Sequence, residues 1–455
     1  MTVNYSVTHF TSGPNQRSNF TEPAPLAYQK GLENWYGSPA FVLNPDVQYQ
    51  EFLGFGGSMT ESAWYALSQL SEEKREEVTR SYYCSNTGNG YRFTRTHINS
   101  CDFSLENWAC VAQEGDTELS TFSFERTKRF LLPLLTSAKK YCGDDIRLIA
   151  SPWSPPAWMK TNGQMNGGGQ LLPRYREAWA NYYLKWIDAL QKCGFPTWAI
   201  TVQNEPEATQ VWDSCIYSAE EERDFIRDYL GPTLMQSEHS RVKIIGWDHN
   251  RERAFERGRA LYEDAEAAKY VWGLGLHWYS GDYFEQLKQL SELYPDKAIV
   301  FTEGCCEGGV KIDDWSRGQR YAHHIIGDLN HNCRVWCDWN LALDERGGPN
   351  HVGNFCDSPI IVSRETGEFH CQPSFYAIGH FSRFIKTGAR RIGVSYFGGS
   401  LEATAFENPD KSITFVVLNP ASEQITFRLL LDGGGVESLI GPYELQSYVL
   451  RPNAS

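Results

Sequence analysis

Eight times along this chain a short apolar run, rich in β-branched and aromatic residues, closes on polar or aromatic side chains and gives way to a helix-like stretch. The runs are 51–57 (EFLGFGG), 91–99 (YRFTRTHIN), 146–153 (IRLIASPW), 197–205 (TWAITVQNE), 242–248 (VKIIGWD), 273–279 (GLGLHWY), 297–303 (KAIVFTE) and 333–340 (CRVWCDWN). Helical patterns fall between them at 71–83, 125–141, 175–192, 219–229 and 315–329, and Ser71 and Ser218 open the first and fourth of these as N-caps. Near-continuous apolar runs are the mark of parallel strands buried on both faces. Strands alternating with helices imply βαβ units, and eight such units over roughly 330 residues predict a closed (β/α)8 barrel more readily than an open doubly wound sheet. No GxGxxG or GxxxxGK follows any run, which removes dinucleotide and P-loop readings. The Gly167-Gly168-Gly169 stretch is expected to be a flexible loop after the third strand.

The grammar changes after about residue 384. Segments 391–396, 401–407, 412–418, 424–431 and 446–451 are β-like, and Gly398-Gly399, Asn408-Pro409-Asp410, Asn419-Pro420 and Gly433-Gly434-Gly435 separate them as turns. These predict an antiparallel β module, to which the first 50 residues, punctuated by Pro23, Pro25, Pro39 and Pro45, supply extra strands. The expected division is therefore N-terminal strands at 1–50, a catalytic barrel at 51–384 and a C-terminal β domain at 385–455.

The formal net charge of −14 argues against nucleic acid or an anionic membrane as a main partner. Residues 1–10 have neither a basic nor an apolar signal region, and no run approaches 18 apolar residues, so the expectation is a cytoplasmic protein without a membrane span. The glycosylation-type triplets beginning at Asn4, Asn19 and Asn453 then carry no weight. The 12 cysteines are expected to be reduced, those in apolar runs (Cys193, Cys215, Cys333, Cys337) packing as small hydrophobes. No CxxC pair, HExxH or zinc-like spacing occurs, so neither metal nor cofactor is expected.

Catalytic groups of such a barrel stand at the C-terminal ends of its strands. There the fourth run closes in Asn204-Glu205-Pro206 and the seventh in Thr302-Glu303-Gly304, placing two carboxylates three strands apart around the mouth. A lone Glu at a strand end is ordinarily a solvated surface group. A facing pair is what cleavage of a glycosidic bond requires, one carboxyl protonating the leaving oxygen and the other attacking or activating water. The chain has 15 Trp, 24 Tyr and 24 Phe, and aromatics recur at these same ends: Trp153, Trp158, Trp212, Trp247, Trp278, Tyr279 and Trp339. Rings can bind the C–H face of a sugar, or they can simply fill core. Asp102, His97, His277, Asn204 and Asn354 are candidates for its hydroxyls.

At these residues the sequence resembles glycoside hydrolase family 30, and within it the glucosylceramidase-like branch. The resemblance rests on 55–61 (FGGSMTE), 100–104 (SCDFS), 151–159 (SPWSPPAWM), 204–206 (NEP), 338–343 (DWNLAL), 354–362 (NFCDSPIIV), Gln372-Pro373 and 379–382 (GHFS). It implies a (β/α)8 barrel with a side β-sandwich formed by both chain ends. It also implies retention of configuration, with Glu205 as acid/base and Glu303 as nucleophile. Asp102, Trp153, Asn204, Trp339 and Asn354 match residues that hold the sugar. Arg95 and Tyr279 match groups that hydrogen-bond the nucleophile, and Arg95 is expected to lower the pKa of Glu303 while Glu205 stays protonated. Two departures fall at the rim: His351 where the lysosomal glucosylceramidases have Trp, and Gly304-Cys305-Cys306 where Ala-Cys is usual.

The leading expectation is a retaining exo-β-glucosidase acting on a carbohydrate or glycolipid, with glucosylceramide among possible substrates and sphingolipid metabolism among possible roles. Within the family, an endo-β-1,6-glucanase or a β-xylosidase is the alternative. Outside catalysis the alternative is an inactive carbohydrate-binding protein, which retention of both Glu205 and Glu303 argues against.

Overall fold

A computed structural model describes residues 4–18, 20–32 and 39–453. Asn19, and the Ala454 and Ser455 that complete the last glycosylation-type triplet, lie outside the described residues.

The eight apolar runs form the strands Gly54–Ser58, Phe93–Ile98, Arg147–Pro152, Thr197–Thr201, Lys243–Asn250, Val271–His277, Ala298–Glu303 and Cys333–Asn340. They pair in chain order, all parallel, and close into a barrel. The first strand is glycine-rich because its neighbour is close: a Cβ on Gly56 would stand 2.3 Å from the Phe93 carbonyl oxygen. Phe93, Ile149, Ala199, Ile245, Val300 and Val335 fill the interior below the mouth, with Trp198 and Trp272 packed against them. Trp198 meets Phe93 edge-on at 4.9 Å. Much of the aromatic excess is therefore core. A larger apolar layer, including Trp179, Trp186 and Trp336, lies between the barrel and its helices.

The helical segments carry the caps read from the sequence. Ser71 accepts from the Lys74 N–H, and Ser218 and Glu221 form a reciprocal capping box. The helix after the fourth strand runs Ala219–Phe225 and then widens into a π turn at Ile226–Leu230.

The remaining major strands form one ten-stranded sheet built from both chain ends. Tyr5–Ser12 pairs along its whole length with Leu445–Pro452, and Ala40–Glu51 pairs with Arg390–Phe397. The sheet folds over on itself: Phe427 and Tyr448, on strands far apart in its order, bring their rings to 6.0 Å. The two halves enclose a core of Phe41, Phe415, Phe427 and Tyr448.

Three readings of the sequence are corrected. The β module is not purely antiparallel, since Ala40–Glu51 runs parallel to Ile425–Leu431. Gly434 and Gly435 are not turn residues but begin the strand Gly434–Ile440, the reversal itself being at Asp432 and Gly433. They are glycines because neighbours press close, a Cβ on Gly435 falling 2.3 Å from the Leu429 carbonyl oxygen. The Gly167–Gly169 loop is pinned instead of loose. Its Gly168 N–H donates to Ser214 Oγ at 2.9 Å, and the buried Lys160 ammonium donates to the Met165 and Ser214 carbonyls.

Barrel and sheet are tied by polar as well as apolar contacts. His380 lies between Ser447 Oγ (2.7 Å) and Ser12 Oγ (2.9 Å), and His323 lies between Glu402 (2.7 Å) and Asp282 (3.1 Å). The 12 cysteines are free. No helix among the described residues is long and apolar enough to cross a membrane.

Candidate active site

The C-terminal ends of the strands converge on a cavity of about 150 Å³, lined by Asp102, Trp153, Asn204, Glu205, Trp212, His249, Tyr279, Glu303, Trp339 and Asn354 among others. A larger cavity of about 610 Å³ lies between the helices Glu61–Ser68, Glu72–Tyr83 and Glu125–Cys142. Its charged residues include Glu76 and Lys140, paired with each other at 3.0 Å, and it lies away from the strand ends that carry the chemistry.

Arg95, fully buried on the second strand, organises the floor. Its Nη1 donates to Glu303 at 2.6 Å, its Nη2 to Asn204 Oδ1 and Asp248 Oδ2 at 2.8 Å each, and its Nε to Ser151 Oγ at 3.0 Å. The guanidinium lies over the Trp153 ring at 4.7 Å and the Trp339 ring at 5.5 Å. Those two rings stack at 5.2 Å, and Phe103 meets Trp339 edge-on. Tyr279 Oη donates to the other Glu303 oxygen at 3.0 Å.

His277 links the carboxylates. Its Nε2 donates to Asp248 Oδ1 at 3.1 Å, while its Nδ1 lies 3.3 Å from Glu205 Oε1 and 4.0 Å from Glu303 Oε1. Those two oxygens are therefore no more than 7.3 Å apart, the sum of the two distances, a bound satisfied by the ~5–5.5 Å carboxyl spacing of retaining glycosidases. With both nitrogens facing carboxylates the ring is an imidazolium. Burial disfavours that charge, but Glu303, Asp248 and Glu205 more than offset it, and the pKa rises to about 9.

The split between the two glutamates differs from the expectation. Arg95 does pull Glu303 down, but burial, aided by the charge of Glu205, outweighs both it and His277, and the Glu303 carboxyl lies above its ordinary range. Burial pushes Glu205 up as well, yet the hydrogen bond from His277 and the charges of His249 and His277 bring it below. The lowered glutamate and the raised histidine are two sides of one shared proton. Asp248, also fully buried, is held far below the carboxylate range: Arg95 leads, followed by His277 and Thr201, against the cost of burial. Asp102 is pushed up to about 8 by burial and the charge of Glu303, and accepts from Asn350 Nδ2 (3.2 Å) and Asn354 Nδ2 (3.3 Å).

Backbone strain accompanies this convergence. Glu205, Trp247 and Asp248 all have positive φ (48°, 68° and 53°), a conformation that costs about 1–3 kcal/mol per residue and must be imposed by surroundings. Here the Glu205 N–H donates to the Asp248 carbonyl at 3.0 Å, and the Trp247 N–H to the buried Glu222 carboxylate at 2.7 Å.

Of the residues singled out in the sequence, Glu205, Glu303, Asp102, Trp153, Asn204, Tyr279, Trp339, Asn354 and Trp212 line the cavity, with Arg95 and His277 directly beneath. Four others do not. His97 is stacked on Phe130 and accepts from the Glu61 N–H, holding the start of a helix. Trp158 packs on Tyr175, Trp247 turns outward beneath Arg257, and Trp278 is buried among Phe301, Tyr321 and Trp336. Residues at strand ends alternate between mouth and outer layer, which position alone does not resolve. At the rim, Cys305 lines the cavity with its Sγ 3.5 Å from Tyr279 Oη, whereas His351 lies behind it, 3.5 Å from Asp213. Sequence reasoning missed Asp248, His249, Asn250 and Asn350. Asp248 had the same signal as the two glutamates, an apolar run closing on a carboxylate.

Comparison with known proteins identifies the family and the fold. Residues 52–385 match the glycosyl hydrolase family 30 TIM-barrel domain, and 388–446 match the family 30 β-sandwich domain. The chain is 38% identical to the mouse (Mus musculus) lysosomal acid glucosylceramidase over 430 residues, covering 90% of this chain and 83% of the relative. The crystal structure of SrfJ from Salmonella typhimurium superposes with a TM-score of 0.93 at 33% identity, covering 99% of this chain and all of the other. The endo-β1,6-glucanase BT3312 superposes with a TM-score of 0.87 at 28% identity, covering 98% of each chain.

Proposed function

This chain belongs to glycosyl hydrolase family 30 and is a glycoside hydrolase, and we propose that it removes terminal β-D-glucosyl units with retention of configuration, using Glu303 as nucleophile and Glu205 as acid/base. One observation carries the assignment: Glu303 receives donors from Arg95 and Tyr279 while sharing His277 with Glu205, at the floor of a small cavity. Two fixed donors aim one oxygen pair at an anomeric carbon. Glu205 is hydrogen-bonded by the His277 imidazolium at 3.3 Å and so has a proton within reach to deliver.

Glu303 attacks the anomeric carbon as Glu205 passes the proton it shares with His277 to the leaving oxygen, a contribution typically of ~10²–10⁴-fold. Glu205 then takes a proton from water, which releases the sugar from Glu303. Asn204 has its Oδ1 occupied by Arg95, which leaves its amide Nδ2 for the sugar 2-hydroxyl. Asp102 serves the far hydroxyls, and Trp153 and Trp339 wall the ring. At about 150 Å³ the cavity falls below the ~300–1,000 Å³ of sites for drug-sized ligands, which supports one sugar ring and exo action.

Proton NMR of an aryl β-glucoside during hydrolysis tests the reading: β-glucose appears first and mutarotates later. Initial release of α-glucose overturns it. A panel of glucosylceramide, gentiobiose, β-1,6-glucan and an aryl β-xyloside identifies the aglycone and glycone accepted, with cleavage of the polymer in mid-chain as the result that would favour endo action.

A further inference from the structure

The wall of the cavity beside Glu205 has a feature that hydrolysis does not use. His249, on the fifth strand, lines the cavity, and its Nδ1 is buried without a hydrogen-bond partner among the described residues, 3.7 Å from Glu205 Oε1. His277 Nδ1 approaches the same oxygen at 3.3 Å, and the three donor atoms all lie within 4.8 Å of one another. We infer that Glu205, His249 and His277 form a binding site for a divalent cation of the zinc class, and that occupancy switches hydrolysis off. The inference rests on Glu205 as the proton donor: the ion takes the carboxylate that must deliver the proton, and its binding releases that proton to solvent.

Three arguments support the site. The first is spacing. A tetrahedral ion with bonds of about 2.0–2.1 Å separates its ligands by about 3.3–3.4 Å. The two distances from Glu205 are close to that, so a small rotation of His249 completes the set. Three protein ligands leave the fourth position for a water.

The second is orientation. A metal-binding histidine ordinarily gives its other N–H to a carboxylate, which fixes the ring and strengthens the ligand. His277 does this through Nε2 to Asp248 Oδ1 at 3.1 Å, and Asp248 is itself fixed by Arg95, Thr201 and Thr302.

The third is charge. Arg95 pairs with Asp248 and Glu303, whereas the groups beside Glu205 are the titratable imidazoles of His249 and His277. When an ion displaces the His277 proton, the three carboxylates are left with Arg95 as their fixed cation, and two negative charges remain in a buried place, where unpaired charge is expensive. One divalent ion balances them.

Two other groups of ligand-type residues compete less well. His324 Nδ1 in the Asp282–His323–His324 group lies 3.1 Å from the Arg251 guanidinium, and the Asp188–Glu238–His239 group has Glu238 exposed and Asp188 half-buried, away from the cavity. The three donors of the favoured site come from successive strand ends, so no local spacing in the sequence displays them.

The test titrates the metal-stripped full chain with cobalt(II), followed by visible absorption, and with zinc, followed by inhibition of aryl β-glucoside hydrolysis. The expected result is the intense absorption of four-coordinate cobalt, with reversible zinc inhibition that substrate relieves. His249→Ala and Glu205→Gln should each weaken cobalt binding by at least ~10-fold, the lower end of what even the supporting groups of a metal site contribute. Absence of cobalt binding overturns the inference, as does binding of unchanged affinity in both variants, which would place the ion elsewhere. An active metal-free enzyme that ignores cobalt defeats this inference alone, whereas a metal-free enzyme without hydrolysis defeats the proposed function.

Discussion

Arg95 and Glu303 form a buried ion pair at 2.6 Å, bridging the second and seventh barrel strands at the floor of the cavity. Removing one member of such a pair strands a buried charge, typically at a cost of about 3–5 kcal/mol. Arg95→Met should therefore lower the denaturation midpoint markedly. It should also push Glu303 further up, because the cation opposing burial is gone. In the same variant the acid limb of kcat/KM should move to higher pH. Retention of both midpoint and acid limb would show that the pair neither supports the fold nor keeps Glu303 ionised.

The pH profile of the native enzyme follows from the two ends of the His277 network. Activity needs Glu303 ionised, and burial holds its carboxyl above the ordinary range, so the acid limb should lie above that of a solvated carboxylate. Activity also needs the proton shared by Glu205 and His277, and His277 retains it up to about 9. Rate should therefore fall as pH rises through that value. His277→Gln leaves Glu205 to hold the proton alone, and the alkaline limb should move well below 9. A limb that stays near 9 in the variant would assign it to another group.

The two glutamates should fail differently. Glu303→Gln should reduce turnover of every β-glucoside by on the order of 10⁴–10⁶-fold, the scale seen when a covalent catalyst loses its nucleophile, while inhibitor binding survives. Glu205→Ala should still form the glycosyl-enzyme from substrates with good leaving groups and then stall. Azide added to it should restore turnover with β-glucosyl azide as product. An α-azide, or rescue of Glu303→Gln in place of Glu205→Ala, would reverse the roles.

Much of this was legible because barrel physics writes itself into sequence. Parallel strands must be apolar on both faces, so eight runs marked eight strands, and the carboxylates ending the fourth and seventh marked the mouth. What stayed hidden depends on direction. Trp153 and Trp278 both follow an apolar run, yet one walls the cavity and the other fills the outer layer, because a single residue of twist decides the face. The pKa order was hidden for a related reason. Arg95 was visible as a partner of Glu303, but His277 touches both glutamates and Asp248 at once, a three-way contact across strands that no spacing reveals. The parallel pairing of Ala40–Glu51 with Ile425–Leu431 joins segments almost 400 residues apart, and its strands carry the same alternation an antiparallel pair would.

The junction of barrel and sheet offers a last test through His323, held between Glu402 at 2.7 Å and Asp282 at 3.1 Å. The Glu402 hydrogen bond leads in raising its pKa to about 9, against the effect of burial. A histidine raised in the folded state contributes stability that is fully present below its unfolded value, near 6.5, and lost as pH rises through 9. His323→Gln should therefore lower the melting temperature most below pH 6.5, and the difference from the native chain should close by about pH 9. Because the ring is about a third exposed, solvent screening limits the effect to about 1 kcal/mol or less, so paired calorimetric scans across pH are the suitable measurement. A deficit that stays constant from pH 6 to pH 9.5 would mean that His323 joins the domains by packing and not by charge.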